Sequence, residues 1–189
     1  QKKRIVVISA STGGPTILSD IISALPEKIT VPILIIQHMP EKFTQLLAKR
    51  LNEKSRILVK EARVGEKIKV SNVYLAKAGK HMRVYEIEGE HYILYSDEPP
   101  REGVKPCANY TYESLASTGY DKIYCVVLSG MGSDGTEGIS YLNSKKNIEV
   151  WIQERKSCVV YGMPGSITKT NLEYQTLSIE EIVEKIKNL

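Results

Sequence analysis

The sequence predicts an α/β fold: a doubly wound, mostly parallel sheet with helices on both faces and an appended antiparallel β-hairpin. Three observations predict it. Apolar runs rich in Ile and Val alternate with segments whose apolar residues recur at helical spacing. Two consecutive strand–loop–helix units stand at the start of the chain, as parallel crossover connections require. A later segment alternates polar and apolar residues around a glycine, which is typical of a hairpin.

The first two units account for the beginning of the predicted sheet. Residues 4–9 form a continuous apolar run that suits a strand buried on both faces, and residues 15–25 carry the apolar stripe of a helix. The pattern repeats at once, with a strand at 31–37 and a helix through 43–51. A third strand is expected in "RILVKEA", residues 56–62.

The second half of the chain begins with a different pattern. Between residues 73 and 96 the period changes to two, which predicts a hairpin whose strands flank Gly89, and "EPPREGVKP" follows as a loop. Further elements are expected as a helix at 110–117, a strand at 122–128, a helix at 136–143, a strand at 148–153 and a terminal helix at 179–187. Neither a change of composition nor a long repeat divides the chain, so a single domain over 1–189 is expected.

Composition excludes several classes of function. The net charge is +4, but the basic residues are scattered singly apart from "QKKR" at the start and "SKKN" at 144–147, which are interpreted as solvated ends or helix-terminal charges. The sequence therefore gives no support for a nucleic-acid partner. Cys107, Cys125 and Cys158 lack paired or metal-like spacing, so a reducing compartment is favoured over a disulfide framework. No apolar run approaches the roughly 18 residues of a membrane span, and the start lacks a signal-peptide pattern. We therefore expect a cytoplasmic protein without membrane insertion.

The first loop, "SASTGGP", follows a predicted buried strand and opens a helix. Ser11 at such a turn can present its hydroxyl at the edge of the sheet, with N–H groups at the helix start able to hold an oxyanion. The loop lacks the leading glycine of the G-x-S-x-G nucleophile elbow, because Ser9 stands at that position. By itself this loop leaves three hypotheses open: a nucleophilic serine, a phosphate-binding loop, or plain helix capping.

The second loop places His38 directly after the second strand, at the same edge as Ser11. An isolated histidine here is either a base or a structural residue at the start of the next helix. The other two histidines, His81 and His91, have no acid at metal-ligand spacing, so a zinc site is not expected.

The third loop, "SGMGSDG", also lies between a strand and a helix. Gly130, Gly132 and Gly135 satisfy G-x-G-x-x-G, and Glu154 follows about 20 residues later, as a dinucleotide site would require. Against this alternative, the motif comes late in the chain and Asp134 places an acid where the pyrophosphate would approach.

Together the three loops offer Ser11, His38 and Asp134, each at the carboxyl end of a predicted parallel strand. A serine hydroxyl needs a base, and the base needs an acid that orients it and stabilises its charged form. The Met131 amide is a candidate oxyanion donor in the same loop. Such a triad requires neither a metal nor an organic cofactor.

The motifs "SASTGGP", "IIQHMPEKFTQLLAKRL", "KHM", "LSGMGSDGTEG" and "SCVVYGMPGSI" resemble, in order, the catalytic domain of the chemotaxis receptor methylesterases, the CheB family. The resemblance implies a hydrolase of glutamate γ-methyl esters on chemoreceptor helices, in many members also a glutamine deamidase. It implies Ser11 as nucleophile, His38 as base and then acid, Asp134 as its orienting residue, and Thr12 and the Met131 amide at oxyanion-stabilising positions. Full-length members usually carry an N-terminal receiver domain, which the expected domain over 1–189 does not include. Either a receiver domain is its partner in a longer chain, or this is a stand-alone esterase domain.

The chain departs from the pattern of the family in two places. Lys77 and Ala78 stand where Pro-Gly is common, and Lys105, Cys107 and Asn109 stand in a stretch that resembles Arg-Pro-Ser-Val-Asp. These departures concern substrate recognition, because Lys cannot reproduce a bidentate Arg contact. A passive role is expected for Cys107. Two alternatives stay open: a triad esterase acting on a non-chemotaxis ester, and a nucleotide-binding module.

Overall fold

The computed structural model describes residues 2–189. Its strands are β1 (Arg4–Ala10), β2 (Ile33–Gln37), β3 (Leu58–Glu61), β4 (Asn72–Leu75), β5 (His81–Ile87), β6 (Glu90–Ser96), β7 (Lys122–Val127), β8 (Ile148–Gln153) and β9 (Gln175–Leu177). Its helices are α1 (Gly14–Ser23), α2 (Phe43–Lys54), α3 (Ala108–Ser114), α4 (Thr136–Asn143), α5 (Gly162–Thr168) and α6 (Ile179–Lys187). Single 3₁₀ turns follow α3 and β8, at Leu115–Ser117 and Arg155–Ser157.

Seven strands form one parallel sheet in the order β3-β4-β2-β1-β7-β8-β9. From the central β1 the chain builds outward on one side through β2, then returns to β7 and builds outward on the other side. This reversal next to β1 is the topological switch point at which open α/β sheets bind their ligands. The predicted doubly wound, mostly parallel sheet is confirmed.

Two apolar cores lie on the two faces of this sheet, and β1 contributes to both in alternation. Val6, Ile8 and Ala10 face the core shared with α1, α2 and α6. Ile5 and Val7 face the core shared with α3, α4, α5 and the hairpin. The strict period of two explains why a strand buried on both faces reads as a continuous apolar run.

The hairpin of β5 and β6 forms a two-stranded antiparallel sheet of its own, separate from the parallel sheet. It is joined to the domain by packing, with Met82, Val84 and Ile93 buried in the second core. The predicted hairpin is therefore confirmed. The alternating segment that predicted it begins too early, however, because β4 at its start belongs to the parallel sheet.

Two elements have no counterpart in the sequence prediction, namely α5 and β9. α5 contains two glycines and a proline in seven residues, a composition that disfavours helix, and burial of Met163, Pro164 and Ile167 holds it in place. β9 is three residues long and only Leu177 in it is buried. Within residues 2–189 no helix is long and apolar enough to cross a membrane.

Candidate active site

Ser11 is the first residue after β1, at the switch point. Its N–H donates to the carbonyl of Ser129 at 2.9 Å, which ties the first loop to the loop after β7. Its own carbonyl accepts from the Gly14 N–H at 2.8 Å. The side chain is half-buried, and among residues 2–189 its Oγ has no hydrogen-bond partner. The hydroxyl is therefore available to a substrate.

His38 follows β2 and stands beside the first loop, because its N–H donates to the Ala10 carbonyl at 3.1 Å. The buried side chain of Gln37 completes the connection. Its amide nitrogen donates to the carbonyls of Ser11, at 2.9 Å, and of His38, at 3.1 Å. Sequence reasoning missed Gln37. A polar residue that ends an otherwise apolar strand was the available signal.

Gly14 is required by this arrangement, because a Cβ at position 14 would lie 1.9 Å from Oε1 of Gln37. We expect Gly14→Ala to push the Gln37 amide off both carbonyls and to lower the free energy of unfolding by about 1–3 kcal/mol. The gain in helix propensity, about 1 kcal/mol, is too small to offset the clash. Urea denaturation measures the change.

Thr16→Ala is the matched control for this prediction, since Thr16 lies exposed on the same helix. It brings a gain in helix propensity of at most about 0.7 kcal/mol without a clash and is expected to leave stability unchanged or slightly higher. Equal stabilities of the two variants would contradict the role assigned to Gln37.

Asp134 is 2% exposed, and its carboxylate is fully engaged. Oδ2 accepts from Nε2 of His38 at 2.6 Å and from the Ala108 N–H at 2.7 Å. Oδ1 accepts from the Asn109 N–H and from Sγ of Cys107, both at 3.1 Å. Burial by itself would raise the pKa of Asp134, but the hydrogen bond and charge of His38 and the amide of Ala108 outweigh it and the pKa is lowered. Asp134 is therefore ionised at neutral pH.

The structure thus joins two of the three predicted triad residues directly, and brings the third beside them through the backbone. His38 uses Nε2 for Asp134, so Nδ1 is the ring nitrogen left to accept a proton. Among residues 2–189 no hydrogen bond joins Ser11 Oγ to His38. Such bonds are often long before substrate binds.

The oxyanion candidates Thr12 and Met131 both lie exposed at the site. In the described part of the chain neither N–H has an acceptor, so both are free to donate. Gly130 lets the Met131 loop approach, because a Cβ at Gly130 would lie 2.8 Å from the Cβ of Ser11 and 2.2 Å from the sulfur of Met163. The close contact needs glycine at this position.

Ser129 is a second residue that sequence reasoning missed. Its buried hydroxyl donates to the Thr12 carbonyl at 2.7 Å and accepts from the N–H groups of Val159 and Val160, each at 3.0 Å. Its N–H donates to Oε1 of Gln153 at 2.8 Å. These bonds fasten the first loop to the segment before α5, which brings the "SCVVYGMPGSI" motif to the site.

The departures at Cys107 and Asn109 lie against the Asp134 carboxylate. Burial, reinforced by the charge of Asp134, raises the pKa of the Cys107 thiol far above its ordinary value, so the group is a neutral donor and a poor nucleophile. Asn109 Oδ1 accepts from the N–H groups of Gly135 and Gly138, at 3.0 and 2.8 Å. Both residues hold the Asp134 loop.

The other departures lie farther from the acid. Lys105 Nζ pairs with Asp97 at 2.8 Å. The backbone N–H groups of Lys77 and Ala78 donate to the hydroxyls of Tyr95, at 2.9 Å, and Thr44, at 3.1 Å.

The N-terminus of α4, where the dinucleotide alternative would place the pyrophosphate, is already occupied by groups of the protein itself. In G-x-G-x-x-G sites the helix N-terminus receives the pyrophosphate. Here the N–H groups of Gly135 and Gly138 are already bound by Asn109, and the buried Asp134 carboxylate stands just before them. Glu154 forms an ion pair with Lys156 at 3.7 Å. This geometry disfavours phosphate binding in the loop.

The chain is thus a parallel α/β domain that brings a serine, a histidine and an aspartate to the carboxyl edge of the sheet, beside two amides that have no acceptor among residues 2–189. The family described as CheB methylesterase matches residues 6–186. The chain belongs to this family.

Similar proteins agree with this assignment. A Photobacterium profundum protein named protein-glutamate methylesterase/protein-glutamine glutaminase 2 is 39% identical over 98% of this chain and 47% of its own length. A Pseudomonas putida protein, named as the same enzyme of the group 1 operon, is 42% identical over 95% of this chain and 47% of its own length. The crystal structure of the Thermotoga maritima CheB methylesterase catalytic domain matches with a TM-score of 0.93 and 35% identity, covering 100% of this chain and 99% of that one. The chain spans about half the length of the Photobacterium profundum and Pseudomonas putida proteins.

Proposed function

We propose that this domain hydrolyses glutamate γ-methyl esters on the cytoplasmic helices of chemoreceptors through a Ser-His-Asp triad and an acyl-enzyme. The observation that carries the proposal is the 2.6 Å bond between His38 and the buried Asp134, beside the free hydroxyl of Ser11. The family and the names of the relatives support the ester as substrate. We further infer that residues 1–189 form a single catalytic domain, since both cores share one sheet.

In the acylation step Ser11 Oγ attacks the ester carbonyl while Nδ1 of His38 takes the hydroxyl proton. The ionised Asp134 stabilises the resulting imidazolium, and it holds the ring through Nε2. Negative charge on the carbonyl oxygen is met by the free N–H groups of Met131 and Thr12. When the tetrahedral intermediate collapses, the proton on His38 passes to the leaving methoxide, and methanol departs.

Deacylation repeats these roles with water in place of serine. His38 removes a proton from the water, hydroxide attacks the acyl carbonyl, and the proton returns to Ser11 Oγ as glutamate is released. Glutamine deamidation needs the same steps with ammonia as the leaving group, so the site is also suited to that reaction. The triad accounts for both reactions without a cofactor.

The proposal is tested by labelling with a fluorophosphonate, which phosphonylates activated serines, and by methanol release from methylated receptor fragments. We expect the wild-type protein to be labelled at Ser11 and to release methanol. His38→Ala should reduce the rate of labelling and the rate of methanol release by about 10³-fold or more, because the Ser11 hydroxyl loses its base. The exposed Lys156→Ala variant is a control that should behave as wild type.

The possible outcomes separate the competing hypotheses. Labelling at Ser11 and cleavage of small esters without methanol release from receptor fragments would favour an esterase for a different ester. Labelling at another residue, or equal labelling of His38→Ala, would remove the triad mechanism. A rise in melting temperature with a dinucleotide would instead support the binding module.

A further inference from the structure

The segment between β6 and α3 contains a tight two-residue turn at Arg101–Val104. The N–H and carbonyl groups of Arg101 and Val104 bond to each other in both directions, at 3.2 and 3.1 Å. The two central residues, Glu102 and Gly103, have φ angles of 55° and 75°. Glycine adopts a positive φ readily, whereas the same backbone conformation at Glu102 costs about 1–2 kcal/mol. Strained non-glycine residues cluster at active sites and persist only where surrounding contacts hold them in place.

The carboxylate of Glu102 binds the segment that carries Asp134. Oε1 accepts from the Ser133 hydroxyl at 2.6 Å, and Oε2 accepts from Nδ2 of Asn109. Asn109 in turn accepts from the Gly135 N–H through its Oδ1. Glu102 therefore holds the residue before Asp134 directly and the residue after it through Asn109. Oxygens of Glu102 and Asp134 and the Cys107 sulfur lie within 4.8 Å of one another.

Arg101 anchors the turn to α3 and α4. Its guanidinium forms two hydrogen bonds of 2.8 Å with Glu113 of α3, and one of 2.9 Å with Glu137 of α4. Bidentate pairs of this kind fix direction as well as distance. The turn is thus fastened to the two helices whose N-termini meet at Asp134.

We propose that Glu102 is a positioning residue for the acid of the site, which rests on the proposed Ser-His-Asp function. Asn109 carries an acceptor and a donor end, and only one orientation of its amide serves the Gly135 and Gly138 N–H groups. Glu102 selects that orientation by accepting from the NH₂ end. With Asn109 and Ser133 both held, the Asp134 carboxylate keeps its alignment on Nε2 of His38.

Two substitutions at Glu102 test the hydrogen bonds of its side chain separately from the strain of its backbone. Glu102→Gly removes the carboxylate and relieves the positive φ, so loss of function cannot come from added backbone strain. Glu102→Gln keeps both hydrogen bonds, because its oxygen can accept from Asn109 while its NH₂ donates to Ser133 Oγ. Glu137→Gln is the control, since it alters an exposed glutamate of the same Arg101 network while Glu113 still holds Arg101.

We expect Glu102→Gly to lower both kcat on a small ester and the rate of fluorophosphonate labelling by about 10-fold, since small misplacements of catalytic groups are costly. KM and the melting temperature should stay near wild type. Glu102→Gln should recover most of the loss. Independently of activity, hydrogen exchange of the Asn109 and Gly135 amides should accelerate by about 10-fold in the glycine variant and stay slow in the glutamine variant.

Unchanged exchange of these two amides in Glu102→Gly would overturn the inference whatever the activity shows. So would a loss of kcat that Glu102→Gln fails to restore, or an equal loss in Glu137→Gln. Failure of the proposed function would give a different result, because the wild-type protein itself would neither label at Ser11 nor hydrolyse esters. The hydrogen-exchange experiment would still test the role of Glu102 in that case.

Discussion

Ser11→Ala is expected to reduce kcat for ester hydrolysis by about 10⁴-fold or more, because the substitution removes the atom that attacks the carbonyl. KM should change little, since the backbone contacts of residue 11 with Ser129 and Gly14 stay in place. The melting temperature should also stay unchanged. Ser11 Oγ has no hydrogen-bond partner within residues 2–189, so its loss leaves no buried group unsatisfied. Steady-state kinetics with a methyl ester measures kcat and KM, and thermal unfolding measures the melting temperature.

Ser19→Ala is the matched control, a half-buried serine on α1 that does not reach the site. It should retain the activity of wild type. If Ser11→Ala instead kept about a tenth or more of wild-type kcat, the nucleophile would have to be another group. Cys107 is a poor substitute because its thiol is buried and neutral.

Asp134→Asn should lower kcat by about 10⁴-fold while leaving the backbone close to its present course. The carboxylate accepts four hydrogen bonds, from His38, Ala108, Asn109 and Cys107. An amide offers one oxygen and brings a donor of its own, so its NH₂ faces two of these donors. His38 then loses both its orientation and the charge that stabilises its protonated form. The kcat of the purified variant measures the loss.

The same substitution should lower the free energy of unfolding by about 2–4 kcal/mol at pH 7, because buried donors are left unpaired. Its pH dependence follows from the lowered pKa of Asp134. A carboxylate whose folded pKa lies below its ordinary value of 3.8 stabilises the fold above that value, and the contribution disappears as the pH falls through the folded pKa. The difference in stability between wild type and Asp134→Asn should therefore shrink below about pH 4.

Asp121→Asn serves as the control, since Asp121 is exposed and, among residues 2–189, its carboxylate accepts a hydrogen bond only from the backbone N–H of Lys3. It should leave kcat unchanged. A stability difference for Asp134→Asn that grows toward low pH would contradict the hydrogen bonding described for this residue.

Much of the fold could be predicted from local pattern. β1 and β2 were predicted as apolar runs because parallel strands are buried on both faces, and α4, β8 and α6 have the predicted bounds. The misses share a physical cause. β4, α5 and β9 are short and carry little pattern of their own, so their conformation depends on neighbours that are distant in the chain. For β4 those neighbours are β2 and β3, which hydrogen-bond it on both sides.

Local patterns of residues are enough to predict the doubly wound sheet, the three loops at its carboxyl edge, and the candidate residues Ser11, His38 and Asp134. Residue type and periodicity carry that information, because strand and helix patterns are local and catalytic chemistry requires particular side chains. Whether the three loops meet is not local information.

The surroundings of those three residues are visible only in the folded chain. The bond from His38 to Asp134 spans 96 positions in the chain, and the amides that hold Asp134 come from residues 25 and 26 positions away. Gln37, Ser129 and Glu102 matter through such contacts. Gln37 and Ser129 lie inside two of the quoted motifs and Glu102 lies outside them, but neither residue type nor position in the chain identifies their hydrogen-bond partners. Hydrogen bonds depend on distance and direction in space, and long-range geometry of this kind exists only once the chain has folded.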